Sequence, residues 1–91
     1  MALKQTTSCL GYQQITDAST AVGLTVPTGA NFAMIICEAQ AVRWRDDGVN
    51  PTTTVGMPLS TGVGFRYDGD LNRIRFIAAV AGAIINISYY A

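Results

Sequence analysis

Hydrophobic residues recur at every second position over short stretches of the chain. In 83–90, for example, Ile85, Ile87 and Tyr89 lie on one face. A period of two is the period of a β-strand, whose side chains alternate between two faces. Together with runs of β-branched and aromatic residues, this pattern predicts seven strands. They span residues 3–12, 20–26, 31–38, 39–45, 62–67, 72–79 and 83–90.

Turn signals separate these stretches, and helix-forming residues are scarce. The chain has nine Gly and three Pro, but a single Glu and a single Lys, two residues that are favoured on helix surfaces. Turn signals recur at roughly 8–12 residues, the spacing of a small sandwich or barrel. They fall at Gly11, 26–29, 46–48, 50–51, 56–58, 60–64, 68–70 and Gly82. We predict an all-β fold with one domain over residues 1–91, either a small antiparallel β-sandwich or a jelly-roll-like barrel.

Two of the predicted strands have no polar face. Both faces of 31–38 are apolar around Ile35, and 72–79 is similar around Ile77. A strand that is apolar on both faces is covered on both faces. Because a chain of 91 residues has little interior to cover both strands, we expect a second subunit to supply the remaining cover.

The C-terminal segment is the predicted subunit interface. No residue from Phe76 to Ala91 is charged, and the small residues in 78–83 would allow another chain to approach closely. Exposed apolar surface on this scale marks an interface, so we predict an obligate homo-oligomer. The residues expected in the interface are Phe76, Ile77, Ile84, Ile85, Ile87, Tyr89 and Tyr90.

Charge and composition limit the kinds of partner and of catalytic or metal site that the chain could have. Six basic residues balance six acidic residues, so net charge gives no general attraction to nucleic acid or anionic lipid. The chain has no histidine, which removes the usual general base and the commonest metal ligand. Cys9 and Cys37 have no third cysteine with which to hold zinc. We predict no enzymatic activity, no cofactor and no bound metal.

The cysteines and the apolar segments bear on the compartment. A disulfide between Cys9 and Cys37 stays open as an alternative, although we favour two buried free thiols. The N-terminus has no apolar run of the length of a signal peptide. The longest apolar stretch, 76–85, has ten residues, half of the ~20 that a transmembrane helix needs. We expect synthesis in the cytoplasm without a signal peptide, and no membrane insertion.

The strongest local signal is a cluster of charged residues around a single tryptophan. Four of the twelve charges lie within 43–47. In one interpretation the cluster binds a sugar, with Trp44 as a stacking platform and the charged groups as hydrogen-bonding partners. In the other, which we favour, Trp44 is core, the Asp-Asp-Gly sequence is a tight turn, and an arginine pairs with a nearby carboxylate. The candidate residues are Arg43, Trp44, Arg45, Asp46, Asp47 and Gly48.

Two weaker signals are interpreted as structural. The spacing of Asp68, Asp70 and Asn72 resembles the start of a calcium loop, but Arg73 stands where that loop needs glycine, so we predict a turn. Arginines at alternate positions in 43–45 and 73–75 suggest a basic stripe. Since acidic residues adjoin these arginines, we predict no nucleic-acid partner.

Three groups of segments, taken together, resemble small β-rich structural proteins of tailed-phage virions. They are 24–30 with 33–40, 42–52 with 56–59, and 73–77 with 88–90. The most distinctive segment is 42–52, VRWRDDGVNPT. The similarity is greatest to the tail-fibre type in contractile-tailed phages, and similar small chains are also labelled head or decoration proteins.

The resemblance implies a non-enzymatic virion component that packs against other virion proteins. It implies a homo-oligomer, with a trimer favoured. The interpretation of Trp44 as a sugar platform adds a host-surface glycan as a further partner. Two alternatives stay open. A capsid-decoration protein of similar fold would be present in hundreds of copies per particle, whereas a fibre component would be present in few. A glycan- or receptor-binding module would use Trp44 and its polar neighbours.

Overall fold

The computed structural model describes residues 7–91, and these residues form eight β-strands and no helix. They therefore include no helix that is long and apolar enough to cross a membrane. The strands are β1 (Cys9–Ile15), β2 (Val22–Gly23), β3 (Phe32–Glu38), β4 (Val42–Arg45), β5 (Met57–Leu59), β6 (Gly64–Tyr67), β7 (Arg75–Ala78) and β8 (Ile84–Tyr90). The predicted all-β fold is confirmed.

The strands form two antiparallel sheets of four strands each. Sheet A has the order β1-β8-β3-β6, and sheet B has the order β2-β7-β4-β5. Because β1 pairs with β8, β2 with β7, β3 with β6 and β4 with β5, the chain is one long hairpin with the β4–β5 connection at its tip. Two further pairs, β3 with β8 and β4 with β7, close the rolled hairpin. This is the strand order of an eight-stranded jelly roll, one of the two predicted architectures.

The hydrophobic core lies between the two sheets. Alternate residues of β3 and β8 point into it, and Ile35, Ile85 and Ile87 are completely buried there. Val42 and Phe76 fill the core from sheet B. Burying one large aliphatic or aromatic side chain stabilises a fold by about 1.5–3 kcal/mol. The alternating apolar residues of the sequence thus stabilise the fold by filling this core.

The same packing corrects the predicted subunit interface. Phe76, Ile85, Ile87 and Tyr89 are at most 1 % exposed in the single chain. Phe76 points into the core from sheet B and the other three point into it from sheet A, so the two sheets cover these side chains without a second subunit. Ile77 is also buried, although it points to the outer side of sheet B, opposite Arg43. These residues belong to the fold of one chain and are not available to a partner.

Ile84 and Tyr90 are the two predicted interface residues that keep partial exposure. They alternate with the buried residues of β8 and therefore lie on the outer side of sheet A. Tyr90 stacks on Phe32 of β3, with ring centroids 5.2 Å apart. The outer side of sheet A therefore replaces the buried side of β8 as the surface to consider for association.

Strand positions agree best for three of the seven predicted stretches. The stretches 31–38, 62–67 and 83–90 begin within two residues of β3, β6 and β8. Within 20–26, only β2 pairs with a neighbouring strand, and Leu24 and Val26 pack on the core from a loop.

Three differences have local causes. β5 lies in a segment predicted as a turn, where Pro58 is tolerated because β5 is an edge strand. β4 begins only at Val42 because Ala39 takes a left-handed turn with φ of 71°. The predicted break at Gly11 is a shift of register between Cys9 and Gly11 inside β1. The part of 3–12 before residue 7 lies outside the described residues.

Candidate functional site

The charged cluster at 43–48 spans the end of β4 and the start of the β4–β5 loop. Val42 is buried and Trp44 packs on the core, so alternation turns Arg43 and Arg45 to the outer side of sheet B. Asp46 follows the last residue of the strand and is exposed. The cluster is therefore divided between the interior, the outer face of sheet B and one end of the sandwich.

Trp44 belongs to an aromatic cluster that joins the two sheets. Its ring stacks on Phe65 of β6, with centroids 5.4 Å apart and an angle of 16° between the ring planes. Tyr67 meets Trp44 edge-on at 6.0 Å. Because Trp44 is only partly buried but packs on the core, the geometry supports the interpretation of Trp44 as a packing residue. Phe65 covers one face of this ring, so a sugar could not stack on that face.

Asp46 is held by a tyrosine of the opposite sheet. The hydroxyl of Tyr67 donates a hydrogen bond of 2.7 Å to Asp46 Oδ2. Burial, together with this acceptor, raises the pKa of Tyr67 well above its ordinary value of 10.0. A phenol that keeps its proton donates to Asp46 throughout the physiological range. This contact fixes the position at which the chain leaves β4.

The turn after Asp46 is built around an ion pair. Arg45 Nε donates to Asp47 Oδ1 at 3.0 Å, and Arg45 Nη2 contacts Asp47 Oδ2. The paired guanidinium lowers the pKa of Asp47 to about 2. Gly48 follows with φ of +87°, in the left-handed region that favours glycine. Arg73 Nη2 donates to Asp47 O at 3.1 Å and closes the turn from the β6–β7 loop.

Arg43 holds the far side of the same loop. Its Nη1 donates to Gly56 O at 2.9 Å, and its Nε donates to Thr53 O at 3.3 Å. Both hydrogen bonds connect the outer face of β4 to the part of the β4–β5 loop that precedes β5. The guanidinium therefore stabilises the loop rather than pairing with a carboxylate.

An open groove of about 370 Å³ lies beside this turn. Three of the six candidate residues line it, and none of the three is aromatic. The lining consists of Arg45, Asp46, Asp47, Val55, Gly56 and Met57. Val55 and Met57 were not singled out from the sequence, because Met57 lies in the segment 56–58 predicted as a turn and Val55 directly precedes it. They are 51 % and 56 % exposed, so the groove combines two exposed apolar side chains with a salt-bridged pair.

Arginines do meet on one surface, the outer face of sheet B. Arg45 lies opposite Arg75 in the β4–β7 register, and Arg43 is two residues away. Arg75 Nη1 donates to the backbone oxygens of Asn72 and Ile74. Each of these guanidinium groups binds a carbonyl or carboxylate of its own chain, with which a phosphate would have to compete. The absence of a nucleic-acid partner stays a prediction.

The calcium-like spacing forms a turn in the structure. Asp70 Oδ1 accepts a hydrogen bond of 3.0 Å from the N–H of Asn72. Asp70 O accepts from the N–H groups of Arg73 and Ile74. Within residues 7–91, no three acidic or cysteine side chains lie together as metal ligands.

Both cysteines are free thiols, in different surroundings. Cys37 is completely buried and donates to Gln40 O at 2.8 Å. Burial raises the pKa of its thiol. Cys9 is exposed on β1, which corrects the expectation that both thiols are buried. The reason is the position of Cys9 on the outer side of an edge strand, opposite Tyr90.

The second candidate surface is the outer face of sheet A, formed by the outward side chains of its four strands. Its exposed large apolar side chains include Tyr12, Met34 and Ile36, at 62 %, 37 % and 45 % exposure. Met34 and Ile36 lie on β3, the strand predicted to need cover on both faces. The structure bears out that both faces of β3 are apolar and leaves its outer face exposed.

A hydrogen-bond network crosses this outer face beside the apolar residues. Asn86 on β8 accepts hydrogen bonds from Tyr12 and Gln14 on β1. Its Nδ2 donates to Glu38 Oε1 on β3 at 2.6 Å. These contacts order polar side chains from three strands. This surface was not predictable from the sequence, because its residues are apart in sequence and join only through the pairing of β1, β8 and β3.

No family model, no curated protein and no solved structure matches the chain. The function is therefore argued from the residues and from the geometry described above.

Proposed function

We propose that this chain is a non-enzymatic structural subunit of a tailed-phage particle, a small tail-fibre component that assembles with copies of itself and with other virion proteins. The observation that carries the proposal is the outer face of β3. A strand with Met34 and Ile36 directed to solvent on its outer side leaves apolar surface that association would cover. The sequence resemblance across residues 20–90 supplies the setting in which such a subunit would act.

The fold and the charge pattern support an assembling role. Both faces of β3 are apolar, so one face packs in the core and the other is suited to a protein surface. Among residues 7–91, the only ion pair joins Arg45 and Asp47. The neutral net charge leaves no long-range repulsion between copies.

The content of purified particles tests the proposed role. We would raise an antibody to the chain and purify particles from lysates of cells that carry its gene. Quantitative mass spectrometry would then count copies per particle. A few copies per particle support a fibre component, whereas hundreds of copies favour the capsid-decoration alternative. Recovery of the chain only in the soluble fraction would overturn a virion role.

A glycan-binding module is the second candidate, and the groove at 45–57 is the observation that favours it. Arg45 and Asp47 offer paired polar groups, and Met57 offers apolar contact. The weakness of this candidate is that Trp44 stacks on Phe65 and does not line the groove.

Glycan-array binding separates this candidate from the first. Binding that is lost in Met57→Ala and kept in Val80→Ala, a loop residue of similar exposure, would favour the groove.

The trimer that the resemblance implies is tested by light scattering coupled to size-exclusion chromatography, in which a trimer would have three times the 9.7 kDa of one chain.

A further inference from the structure

The outward side chains of β3 form a short apolar column with a charge at one end. In order along the strand they are Phe32, Met34, Ile36 and Glu38. Met34 and Ile36 are exposed. The spacing between successive members is constant, because outward residues of a strand repeat every second position.

A positive charge lies at the other end of the same column. Arg66 of β6 pairs with Met34 in the register, but its guanidinium carbon lies 4.2 Å from the centroid of the Phe32 ring. The guanidinium therefore sits over the first residue of the column, while Glu38 is the last. Within residues 7–91, neither Arg66 nor Glu38 forms an ion pair.

The geometry points to a second copy of this chain as the occupant of this face, packed by a two-fold axis through the middle of the β3 column. This inference rests on the proposed function, which takes the chain to assemble with copies of itself, and it expects two copies where the sequence resemblance implies three. Consider an axis that is parallel to the sheet, perpendicular to β3 and centred between Met34 and Ile36. It brings Met34 of each copy against Ile36 of the other.

The same axis places opposite charges together at both ends of the apolar contact. It brings Glu38 of one copy opposite Phe32 of the other, where the Arg66 guanidinium lies. Two equivalent ion pairs result, one at each end of the apolar contact, as an isologous interface requires. An axis along β3 would instead place Glu38 against Glu38. The distribution of charge on the face therefore selects one two-fold arrangement.

The network around Asn86 prepares Glu38 for this contact. Asn86 Nδ2 donates to one carboxylate oxygen, Oε1, at 2.6 Å. The other oxygen is then oriented and available to a guanidinium of the second copy. A side chain that is already ordered loses less rotamer freedom on binding.

The size of the face determines the expected strength. Four strands spaced about 4.8 Å apart, with four outward rows, cover roughly 450 Å². A standard interface buries about 800 Å² per partner, so we expect a weak dimer in solution. Its formation should be visible only as protein concentration rises from about micromolar toward millimolar.

Sedimentation velocity over that concentration range is the first test. The expected mass rises from 9.7 kDa toward twice that value. A mass of one chain throughout, or a trimer, would overturn the two-fold dimer. If the chain is nevertheless present in purified particles, the proposed function stands and only this inference fails.

Variants then locate the contact. Ile36→Glu should raise the dissociation constant about tenfold or more, because it puts an uncompensated charge at the centre of the interface. Val80→Glu is the matched control, since Val80 has similar exposure but lies in the β7–β8 loop. It should leave the dissociation constant unchanged. Equal effects of the two substitutions, with melting temperatures checked for each variant, would overturn this location.

A charge exchange tests the two-fold geometry itself. Glu38→Arg and Arg66→Glu should each weaken the dimer by about tenfold, because each creates two like-charge contacts. The double variant should recover most of the original affinity, since it restores opposite charges at both ends. If the double variant is as weak as either single variant, Glu38 and Arg66 do not meet across the interface and the proposal is overturned.

Discussion

The hydroxyl of Tyr67 lies 2.7 Å from Asp46 Oδ2 and joins the two sheets at one end of the sandwich. Tyr67 is on β6 of sheet A, and Asp46 directly follows β4 of sheet B. The same tyrosine ring packs edge-on against Trp44. One side chain thus fixes both the aromatic cluster and the start of the β4–β5 loop.

Loss of this hydrogen bond should destabilise the fold. Tyr67→Phe keeps the ring in the aromatic cluster and removes only the hydroxyl. We expect a decrease of about 1–2 kcal/mol in the free energy of unfolding, because a neutral donor bound to a carboxylate is stronger than an average hydrogen bond. A double-mutant cycle with Asp46→Ala, measured by urea unfolding, checks the pairing. Strict additivity of the two substitutions would contradict a direct contact.

Replacement of the turn glycine Gly48 by alanine should destabilise the fold. Its φ of +87° is unfavourable for alanine, and a Cβ there would lie 2.7 Å from Arg73 Nη2. Gly62 is the matched control, because its φ is +80° but a Cβ would meet nothing within 4 Å. Gly62→Ala should cost about 1 kcal/mol from backbone strain alone.

Gly48→Ala should cost more than Gly62→Ala, since it also displaces Arg73 from Asp47 O. Thermal or chemical unfolding of the two variants measures the difference. If Gly62→Ala proves as costly as Gly48→Ala, then backbone strain accounts for the whole effect and the Arg73 contact contributes nothing measurable.

The sequence predicted the sheet architecture because burial of alternate residues is a local pattern. The run around Ile35 and the alternation at Ile85 and Ile87 each predict a strand without knowledge of its neighbours. What the apolar face of a strand packs against is not determined by the sequence of that strand, because it depends on where the other strands lie. The apolar face of β8 was expected to need a partner chain, but the roll of the hairpin turns it toward sheet B.

The candidate site was predictable only in part for the same reason. The Asp-Asp-Gly turn and the pairing of Arg45 with Asp47 are contacts between near neighbours, and both are found. The contact of Asp46 with Tyr67 spans 21 positions, and no spacing rule indicates it. The outer face of sheet A depends on β1, β8 and β3 being adjacent, which is a property of the topology.

The two thiols should differ strongly in reactivity. A thiolate is the reactive form, and access to it decides the rate. Cys9 is exposed, whereas Cys37 is buried and its pKa is raised by burial. A thiol reagent should therefore label one equivalent rapidly in the native protein and a second only on unfolding. Cys9→Ser should abolish the fast phase. A fast phase that survives in Cys9→Ser would show that Cys37 is accessible.

Alkaline pH should destabilise the fold through buried phenols. Burial raises the pKa of Tyr89 to about 12 from an ordinary value of 10.0, and Tyr67 is shifted in the same direction. The unfolded chain releases these protons at lower pH than the folded chain does. The stabilisation is therefore complete below about pH 10 and declines as pH rises toward 12. The buried thiol of Cys37 contributes to the same decline, because burial raises its pKa as well. Its contribution begins at somewhat lower pH than that of the phenols, since the ordinary pKa of a thiol is 9.0.

Tyr89→Phe separates the contribution of this phenol from the others. The variant should be less stable at neutral pH, because Gln13 loses the donor that lies 2.6 Å from its Oε1. Its stability should then fall less steeply above about pH 10, since one group with a raised pKa is gone. Guanidinium unfolding of the variant and of the unsubstituted protein, from about pH 8 to about pH 12, measures both slopes. If the two proteins lose stability in parallel, the buried phenol is not the cause, and ionisation elsewhere in the chain drives alkaline unfolding.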